Sequence, residues 1–397
     1  MGSIIEKLAI IAPGEFPIPA VKGGAIETLI DYIIEENEIN KEYELHVYSI
    51  LDEEALKKSK RFKNTKFRYF KVNKNLNIIN TFIIKVVRKL FKIELKTILM
   101  RKIIKDLKIS KFDKVIIEGN ENQILQVRNS YNGNLYFHLH HDAFNVFKGD
   151  SEKVINACDK IITVSKYIKD RTLKVSDKVR IEVVENCTNT RIFNKDLYID
   201  QRSSLREKYN IKEDEIVIMF TGRIIPEKGI KELIEAFKII CKDERVKLII
   251  IGNAGFANEI KSSYDEEILK LSNEVSDKII FTGFIHNGEL PKFHAMVDIA
   301  IVPSIWEEPA GLVAIEALSS GLPLIVTNSG GLKEYVNEDS AIIVEKNEQL
   351  INNIAKGLKR LIEDEKLREN MAKEARKQGE KYNTKKYYTD FINLLKE

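Results

Sequence analysis

The sequence predicts an α/β protein made of two doubly wound domains. Short apolar runs rich in β-branched residues alternate along the whole chain with longer segments of helical spacing. Such alternation produces parallel strands connected by helices that cover both faces of a sheet. The length of 397 residues is sufficient for two such domains, each with its own core.

The predicted strands are shared between the two halves. Those of the first half are 7–12, 44–49, 67–71, 114–118, 134–140, 160–164 and 181–184. Those of the second half are 215–220, 247–251, 279–282, 299–302, 324–327 and 341–344. Helical patterns between them include 230–241, 266–273 and 349–364. The polar stretch 187–214 has no strand signal, so we expect the linker there, with domains at 1–190 and 191–383.

The composition excludes several classes of protein. A net charge of +4 gives no reason to expect a nucleic-acid partner. Three distant cysteines without a C-x-x-C pair disfavour a disulfide framework and a zinc cluster, and they suit a reducing compartment. The first apolar run contains Glu6 and Lys7, which predicts a strand and not a signal peptide. No apolar run approaches the roughly 20 residues that span a bilayer. We therefore expect a cytoplasmic protein.

The densest motif is the segment 304–317, SIWEEPAGLVAIEA, which follows a predicted strand and enters a helix. The N–H groups of Gly311 and Leu312 would lie at the helix N-terminus, where phosphate binds readily. Glu308 precedes the helix and can reach hydroxyl groups, and Glu316 lies about two turns further and can accept hydrogen bonds from a ribose. The alternative is that acids here only complement the helix dipole, which suits Glu307 best.

A second motif, GRIIPEKG at 222–229, directly follows the first strand of the second half. Arg223 and Lys228 bracket a turn at the carboxyl end of that strand. Two cations there can neutralise a diphosphate leaving group, on which charge develops as the sugar bond breaks. The alternative is an ordinary surface turn with two solvated cations.

Two motifs of the first half bring polar groups to strand ends. Gly23 and Gly24 precede a helix and would form a backbone cradle for an anion or a sugar, or simply a tight turn. His138 and His140 lie on one face of a strand, and His141 follows them. We expect His140 to bond a sugar hydroxyl, whereas His138 and His141 fit core positions better. No distant ligand and no D-x-D motif accompanies the histidines, so no metal site is predicted.

Together these motifs resemble the retaining family-four glycosyltransferases of GT-B architecture, over nearly the whole chain and in the same order. The resemblance rests on the E-x7-E element from Glu308 to Glu316, on GRIIPEKG, on IIGNAGFANE and on GLPLIVTNSGGLKEYV. Two further segments, PIPAVKGGAIET and HLHHDAF, are most similar to spore-coat-type enzymes. Two positions depart from the family pattern, namely Ala310, where phenylalanine is common, and the glycine turn GNAG at 252–255.

The resemblance implies a fold and a reaction. Two Rossmann-like domains would face each other across a cleft, and the last helix, about 384–397, would pack back on the first domain. A sugar would pass with net retention from a nucleotide diphosphate donor, with a UDP-sugar favoured, to a saccharide or lipid-linked hydroxyl. No metal or other cofactor would be required. The setting would be the synthesis of cell-surface polysaccharide or glycoconjugate.

The resemblance also implies roles for single residues. Arg223 and Lys228 would hold the diphosphate, Glu316 the ribose and Glu308 the transferred sugar, beside which His140 would lie. The implied catalytic residues are His140, Arg223, Lys228 and Glu308. The implied donor-binding residues are Gly23, Gly24, Gly222, Arg223, Lys228, Gly252, Asn253, Glu308, Ala310, Gly311, Leu312, Val313 and Glu316.

The sequence leaves two other functions and a membrane contact as alternatives. A nucleotide-sugar epimerase or hydrolase would use the same fold without an acceptor, and a sugar-binding protein would bind nucleotide without turnover. The stretch 77–109 is rich in lysine and arginine among apolar residues. This composition suits peripheral contact with the anionic inner face of the cell membrane. The alternative is a solvated helix face.

Overall fold

The computed structural model describes residues 5–71, 97–144, 149–242, 245–253 and 263–396. The chain divides into two compact units, the first comprising Met1–Glu185 with Tyr388–Glu397 and the second comprising Asn186–Tyr387. Both units are doubly wound α/β structures, as the alternation of strand and helix signals predicts. The unit boundaries lie a few residues from the boundaries expected from the sequence.

The first unit contains a seven-stranded parallel sheet with the order β3-β2-β1-β4-β5-β6-β7. Its strands are β1 (Lys7–Ile11), β2 (Glu44–Ile50), β3 (Thr65–Phe70), β4 (Lys114–Glu118), β5 (Asn134–Leu139), β6 (Lys160–Thr163) and β7 (Arg180–Val183). The described helices between them are α1 (Ala25–Asn40), α2 (Glu53–Ser59), α3 (Ile98–Ser110), α4 (Ile124–Arg128), α5 (Ser151–Ile155) and α6 (Lys166–Leu173). The central strands are buried on both faces, which explains their continuous apolar runs.

The second unit contains a six-stranded parallel sheet with the order β10-β9-β8-β11-β12-β13. Its strands are β8 (Ile216–Thr221), β9 (Val246–Ile251), β10 (Ile279–Gly283), β11 (Ile299–Val302), β12 (Leu324–Thr327) and β13 (Ala341–Val344). Its described helices are α7 (Ile199–Lys208), α8 (Ile230–Ile240), α9 (Ser263–Ser272), α10 (Leu290–Met296), α11 (Leu312–Ser319), α12 (Leu350–Glu363) and α13 (Glu365–Gly379). The order of strands reverses at β8 and β11, and such a switch point is where open parallel sheets bind ligands.

Two apolar cores cover the two faces of the second sheet. Alternate residues of β8 enter each core, because successive side chains of a strand point to opposite faces. Ile218 and Phe220 pack with α8 and α12, whereas Val217 and Met219 pack with α10 and α11.

The last helix, α14 (Thr384–Lys396), packs on the first unit through its aromatic face. The Tyr388 hydroxyl donates to Oδ1 of Asn37 at 2.8 Å. The ring centroid of Phe391 lies 5.8 Å from that of His138. Phe391 is fully buried, so the helix contributes to the core that supports β5.

The prediction that 187–214 is an irregular linker is wrong. The segment belongs to the second unit and contains α7. Arg206 of α7 is fully buried, and its guanidinium donates to the carbonyl oxygens of Met296 at 2.9 Å, Lys212 at 2.7 Å and Glu215. These hydrogen bonds offset much of the cost of burying the guanidinium, so this one side chain anchors the helix. The helix has no apolar stripe, which is why its periodicity gave no signal.

The cysteine side chains and the helices agree with the expectations from composition. Cys158, Cys187 and Cys241 are buried and do not form disulfide bonds. None of the helices in the described ranges combines the length and the apolar character needed to cross a bilayer.

Candidate active site

The loops after β8 and β11 lie side by side because these strands are neighbours in the second sheet. Gly229 ends the first loop with a φ of 70°, a conformation that glycine adopts without strain. A Cβ atom at this position would lie 2.0 Å from the carbonyl oxygen of Pro303. Only glycine therefore lets the GRIIPEKG loop approach the loop that carries Glu308.

Lys228 and Glu308 meet between these two loops. The Nζ atom of Lys228 donates to Oε1 of Glu308 at 2.6 Å, and the hydroxyl of Ser304 donates to the same oxygen. Glu308 is 7% exposed, whereas the Lys228 side chain is 23% exposed. No donor in the described residues bonds Oε2 of Glu308, and this atom is not sealed from solvent. The pair thus offers a cation and a carboxylate oxygen to a ligand.

A glycine loop after β12 holds the Glu308 backbone in place. Gly330 has a φ of 48°, and its N–H donates to Oε2 of Glu307 at 2.5 Å. The N–H of Gly331 donates to the carbonyl oxygen of Glu308 at 2.7 Å, and the Glu308 N–H donates to the Ser329 hydroxyl at 3.3 Å. No role was predicted for this loop from the sequence. The available signal was a pair of adjacent glycines shortly after a strand.

Glu307 is part of the same support and does more than complement a helix dipole. Its Oε1 atom accepts a hydrogen bond from Nζ of Lys346 at 2.5 Å, and its Oε2 atom accepts the Gly330 N–H. The carboxylate therefore ties the loop after β11 to the loop after β12 and to the segment after β13.

Helix α11 begins at Leu312, with Gly311 as its N-cap residue. The first N–H groups of a helix have no acceptor within it, so those of Gly311, Leu312 and Val313 are oriented for an external anion. The side chains of Leu312 and Val313 are half-buried, and Ala310 packs against a small cluster formed by Ile315, Tyr335 and Tyr382. The helix begins immediately after the Lys228–Glu308 pair, as the sequence predicts.

Glu316 lies in the middle of α11 and is 6% exposed. No donor among the described residues bonds its carboxyl group. Burial raises the pKa of Glu316 to about 8, because a charged carboxylate loses hydration there. An unpartnered carboxyl group of this kind is suited to accept hydrogen bonds from a ligand with adjacent hydroxyls.

The ends of β8 and β9 form a glycine-lined edge next to Arg223. Gly252 has a φ of 139°, and a Cβ atom there would lie 1.8 Å from the carbonyl oxygen of Gly222. The Ile224 N–H donates to the carbonyl oxygen of Asn253 at 3.0 Å. Arg223 is exposed at this edge. Residues 254 and 255 of the GNAG turn lie outside the described residues.

In the first unit, Gly23 and Gly24 join the loop after β1 to α1. Their φ values are 79° and 104°. A Cβ atom at Gly24 would lie 2.1 Å from Oε2 of Glu27, so the Glu27 side chain occupies that space. Glu27 is 3% exposed, and burial raises its pKa to about 7. Glu27 was not among the site residues predicted from the sequence.

His140 follows β5 and has a partner that the sequence analysis did not find. Its Nε2 atom lies 2.7 Å from Oε2 of Glu118, the last residue of β4. The Nδ1 atom of His138 lies 3.1 Å from the same oxygen, but not in hydrogen-bond geometry. Glu118 and His138 are directly paired between β4 and β5. The available signal was a carboxylate directly after the apolar run VII at 115–117. His141, in contrast, is partly exposed near Glu121.

Glu118, His138 and His140 form a cluster. Each offers one possible metal-ligand atom, and these three atoms lie within 4.8 Å of one another. Side chains of these types can hold a metal ion, and the closest pair among them is spaced as a hydrogen bond. The 2.7 Å separation between His140 and Glu118 is a hydrogen bond, whereas two ligands on a tetrahedral zinc ion lie about 3.3 Å apart. A metal-free site stays a prediction.

The electrostatics of this cluster favour a neutral imidazole beside a charged carboxylate. Burial, followed by the neighbouring His138, lowers the pKa of His140 to about 4. Burial acts to raise the pKa of Glu118, but its contacts with the two histidines outweigh that effect and lower it. At neutral pH His140 is therefore uncharged.

Comparison of the second unit with known families identifies a glycosyltransferase domain. Residues 201–378, which include every candidate residue of that unit, match the glycosyl transferases group 1 family. The second unit is thus a group 1 glycosyltransferase domain, and the chain is a glycosyltransferase.

Individual relatives and one solved structure support this family and its fold. The chain is 28% identical to the putative glycosyltransferase YtcC of Bacillus subtilis (strain 168) over 389 residues, which is 94% of this chain and 88% of YtcC. It is 22% identical to spore coat protein SA of the same organism over 94% of each chain. The crystal structure of Anabaena Alr3699/HepE in complex with UDP superimposes with a TM-score of 0.76 at 16% identity, covering 98% of this chain and 99% of HepE. The two parallel sheets are those of the GT-B fold.

Proposed function

We propose that this glycosyltransferase moves a sugar from a nucleotide diphosphate donor to a hydroxyl acceptor, with net retention and without a metal. The proposal rests on three features of the second unit. They are the half-buried cation of Lys228 paired with Glu308, the N-terminus of α11, and the buried, unpartnered carboxyl group of Glu316. They match the diphosphate, the sugar hydroxyls and the ribose of one ligand.

The diphosphate would be held by cations and by backbone N–H groups. Nζ of Lys228 has three donors and uses one of them on Glu308 in the structure, so two are available for phosphate oxygens. The first N–H groups of α11, at Gly311, Leu312 and Val313, add a site of positive partial charge. Arg223, exposed at the end of β8, would supply the second cation.

The ribose and the transferred sugar would be recognised by carboxylates. Glu316 would accept hydrogen bonds from the two ribose hydroxyls, and Oε2 of Glu308 would accept one from the sugar. From the first unit, the Gly23–Gly24 turn would offer backbone N–H groups, and His140 would bond a hydroxyl of the sugar. A donor with a uracil base is favoured, and HepE was solved with UDP.

The proposed reaction needs no protein nucleophile. The bond between the anomeric carbon and the diphosphate oxygen breaks, and its electron pair remains on the diphosphate. The acceptor oxygen bonds the anomeric carbon from the same face, and its proton passes to a phosphate oxygen of the leaving group. The protein stabilises the developing negative charge through Lys228, Arg223 and the start of α11. The acceptor would be a saccharide or a lipid-linked saccharide of the cell surface, a setting that agrees with the name of the relative spore coat protein SA.

A donor and acceptor screen tests this proposal. The purified chain is incubated with UDP-, GDP- and ADP-sugars, with a panel of saccharide and lipid-linked acceptors, and with or without EDTA. We expect a glycosylated product, detected by mass spectrometry, whose anomeric configuration by NMR equals that of the donor and whose rate is unaffected by EDTA. Inversion or loss of activity in EDTA would contradict the mechanism. Turnover of donor without acceptor would instead indicate an epimerase or a hydrolase.

The described part of the basic stretch supports a second proposal, namely contact with an anionic membrane surface. Residues 77–96 of the stretch lie outside the described residues. Helix α3 buries its apolar side and presents four exposed cations on the other, namely Arg101, Lys102, Lys105 and Lys108. Its single acid, Asp106, accepts a hydrogen bond from the Tyr48 hydroxyl at 2.7 Å. The exposed face is therefore strongly positive, which suits anionic lipid headgroups.

Vesicle sedimentation tests this contact. We expect the chain to sediment with vesicles that contain phosphatidylglycerol at low salt, and to be released at high salt because the attraction is screened. Reversing the charge of Lys102, Lys105 and Lys108 should abolish sedimentation. The matched control reverses Lys366, Lys373 and Lys377, three exposed residues of α13, and should bind as the wild type does. Equal binding to neutral vesicles, or no salt-sensitive binding, would overturn the proposal.

A further inference from the structure

We propose that Glu118 is a positioning residue that holds His140 in one tautomer, so that the imidazole presents a bare Nδ1 atom to the substrate. This inference rests on the proposed function, because it concerns the histidine that would contact the transferred sugar. It extends that function by defining the direction of the hydrogen bond that the sugar must make.

The tautomer follows from the geometry of the pair. Nε2 of His140 lies 2.7 Å from Oε2 of Glu118. An ionised carboxylate only accepts hydrogen bonds, so the proton of this bond is on Nε2. The imidazole is neutral at neutral pH, because burial lowers its pKa to about 4. A neutral imidazole with a proton on Nε2 carries a lone pair on Nδ1.

The bare Nδ1 atom is open to a ligand. No donor in the described residues bonds it, and it is not among the buried atoms of the unit that lack a partner. Gly119 allows Ile26 to approach the end of β4, since a Cβ atom there would lie 2.5 Å from the Ile26 side chain. Ile26 lies two residues after the Gly23–Gly24 turn, so His140 and the proposed backbone cradle lie at the same edge of the first sheet.

The surroundings of Glu118 hold this arrangement in place. Glu118 is 1% exposed at the end of β4, and His138 is fully buried beside it. The His138 ring lies between His140, with centroids 4.0 Å apart, and Phe391 of α14, with centroids 5.8 Å apart. These contacts pack both rings against their neighbours. The hydrogen bond to Glu118 orients His140 before the substrate arrives.

A fixed Nδ1 acceptor has a consequence for recognition. It can accept a hydrogen bond from a sugar hydroxyl but cannot donate one, so a sugar that offers only an acceptor at that position leaves two lone pairs facing each other. The hydrogen bond from Nε2 to the carboxylate also makes Nδ1 a stronger acceptor, as a carboxylate does for the histidine of a hydrolase triad. We expect a deoxy or O-methyl analogue of the contacted hydroxyl to be a poorer donor than the parent sugar.

Nitrogen NMR on histidine-labelled protein tests the tautomer directly. The chain has six histidines, and the signals of His140 are assigned by comparison with His140→Ala. We expect the wild type to show a protonated Nε2 and an unprotonated Nδ1 at neutral pH. In Glu118→Ala the preference should be lost, and the two nitrogens should exchange between tautomers. A wild-type His140 with its proton on Nδ1, or on both nitrogens, would overturn the inference.

Kinetics separate positioning from a merely structural role. Glu118→Ala should lower kcat about tenfold or more, while the Kd for UDP, bound by the second unit, changes less than about twofold. The double variant Glu118→Ala/His140→Ala should be no slower than His140→Ala, because Glu118 acts through that histidine. Additive losses would contradict the proposal. Circular dichroism and Tm report whether each variant is folded.

A control variant near His141 tests whether the effects are specific to Glu118. Glu121→Gln changes the carboxylate next to the partly exposed His141, three residues from Glu118, and should leave kcat and the His140 spectrum unchanged. If the wild type transfers no sugar, the proposed function fails, whereas the tautomer measurement still supports or refutes the role of Glu118. The two failures are therefore distinguishable.

Discussion

Replacing Lys228 with alanine is expected to lower kcat/KM for the donor by about tenfold or more. The change removes a cation from the leaving diphosphate, where negative charge increases as the sugar bond breaks. It also leaves the carboxylate of Glu308, 7% exposed, with Ser304 as its remaining side-chain donor. A buried carboxylate without its cation is less stable in the charged form that would bind a sugar hydroxyl. Initial rates across a range of donor concentrations measure the effect.

Lys231→Ala is the matched control for this variant. Lys231 lies three residues further along the chain and pairs with Glu267 at 2.8 Å, and both side chains are about half exposed. Its removal should leave kcat/KM within about twofold of the wild type, because exposed ion pairs contribute little. The losses of Lys228→Ala and Glu308→Gln should not add, since the two side chains are in contact. Wild-type activity in Lys228→Ala would contradict the site described above.

Replacing Glu316 is expected to reduce binding of the donor. It should also remove the free-energy cost of burying an unpaired carboxyl group in the folded chain. Glu316→Ala removes the acceptor proposed for two ribose hydroxyls and should lower donor use by about tenfold or more. Glu316→Gln keeps the shape but cannot ionise when the ligand binds. It should still weaken binding of UDP, measured by calorimetry, because an amide oxygen is a weaker acceptor than a carboxylate. Unchanged UDP affinity in both variants would exclude the proposed ribose contact.

The stability of Glu316→Gln should depend on pH in a defined direction. The pKa of Glu316 is about 8 in the folded chain and about 4.5 when unperturbed. Between these values the folded chain holds a proton that the unfolded chain has lost, so the wild-type stability falls as pH rises through this window. The Tm of Glu316→Gln relative to wild type should therefore increase from pH 5 to about pH 8. Glu363→Gln, exposed at the end of α12, should show no such trend. A Tm difference that does not change with pH would contradict the burial of an unpaired carboxyl.

The sequence determined those features that depend on a few neighbouring residues. Apolar runs and helical spacing placed all thirteen described strands, with ends shifted by a residue or two, because burial on both faces of a parallel sheet imposes that pattern locally. Glycines that need a positive φ, such as Gly24 and Gly229, marked tight approaches of the backbone. The order of motifs then indicated a glycosyltransferase, and the comparison with known families agrees.

Only the tertiary structure decided which side chains meet. His140 contacts Glu118 because β4 and β5 are neighbours in the sheet, although the two residues are 22 positions apart in the chain. Lys228 contacts Glu308 across 80 positions because β8 adjoins β11. The burial that raises the pKa of Glu316, and the Met296 carbonyl group that accepts a hydrogen bond from Arg206 of α7, likewise come from elements distant in sequence. Local sequence patterns specify helices and strands. Contacts between the ends of strands depend on the order of the strands in the sheet, and this order cannot be inferred from any short segment of the chain.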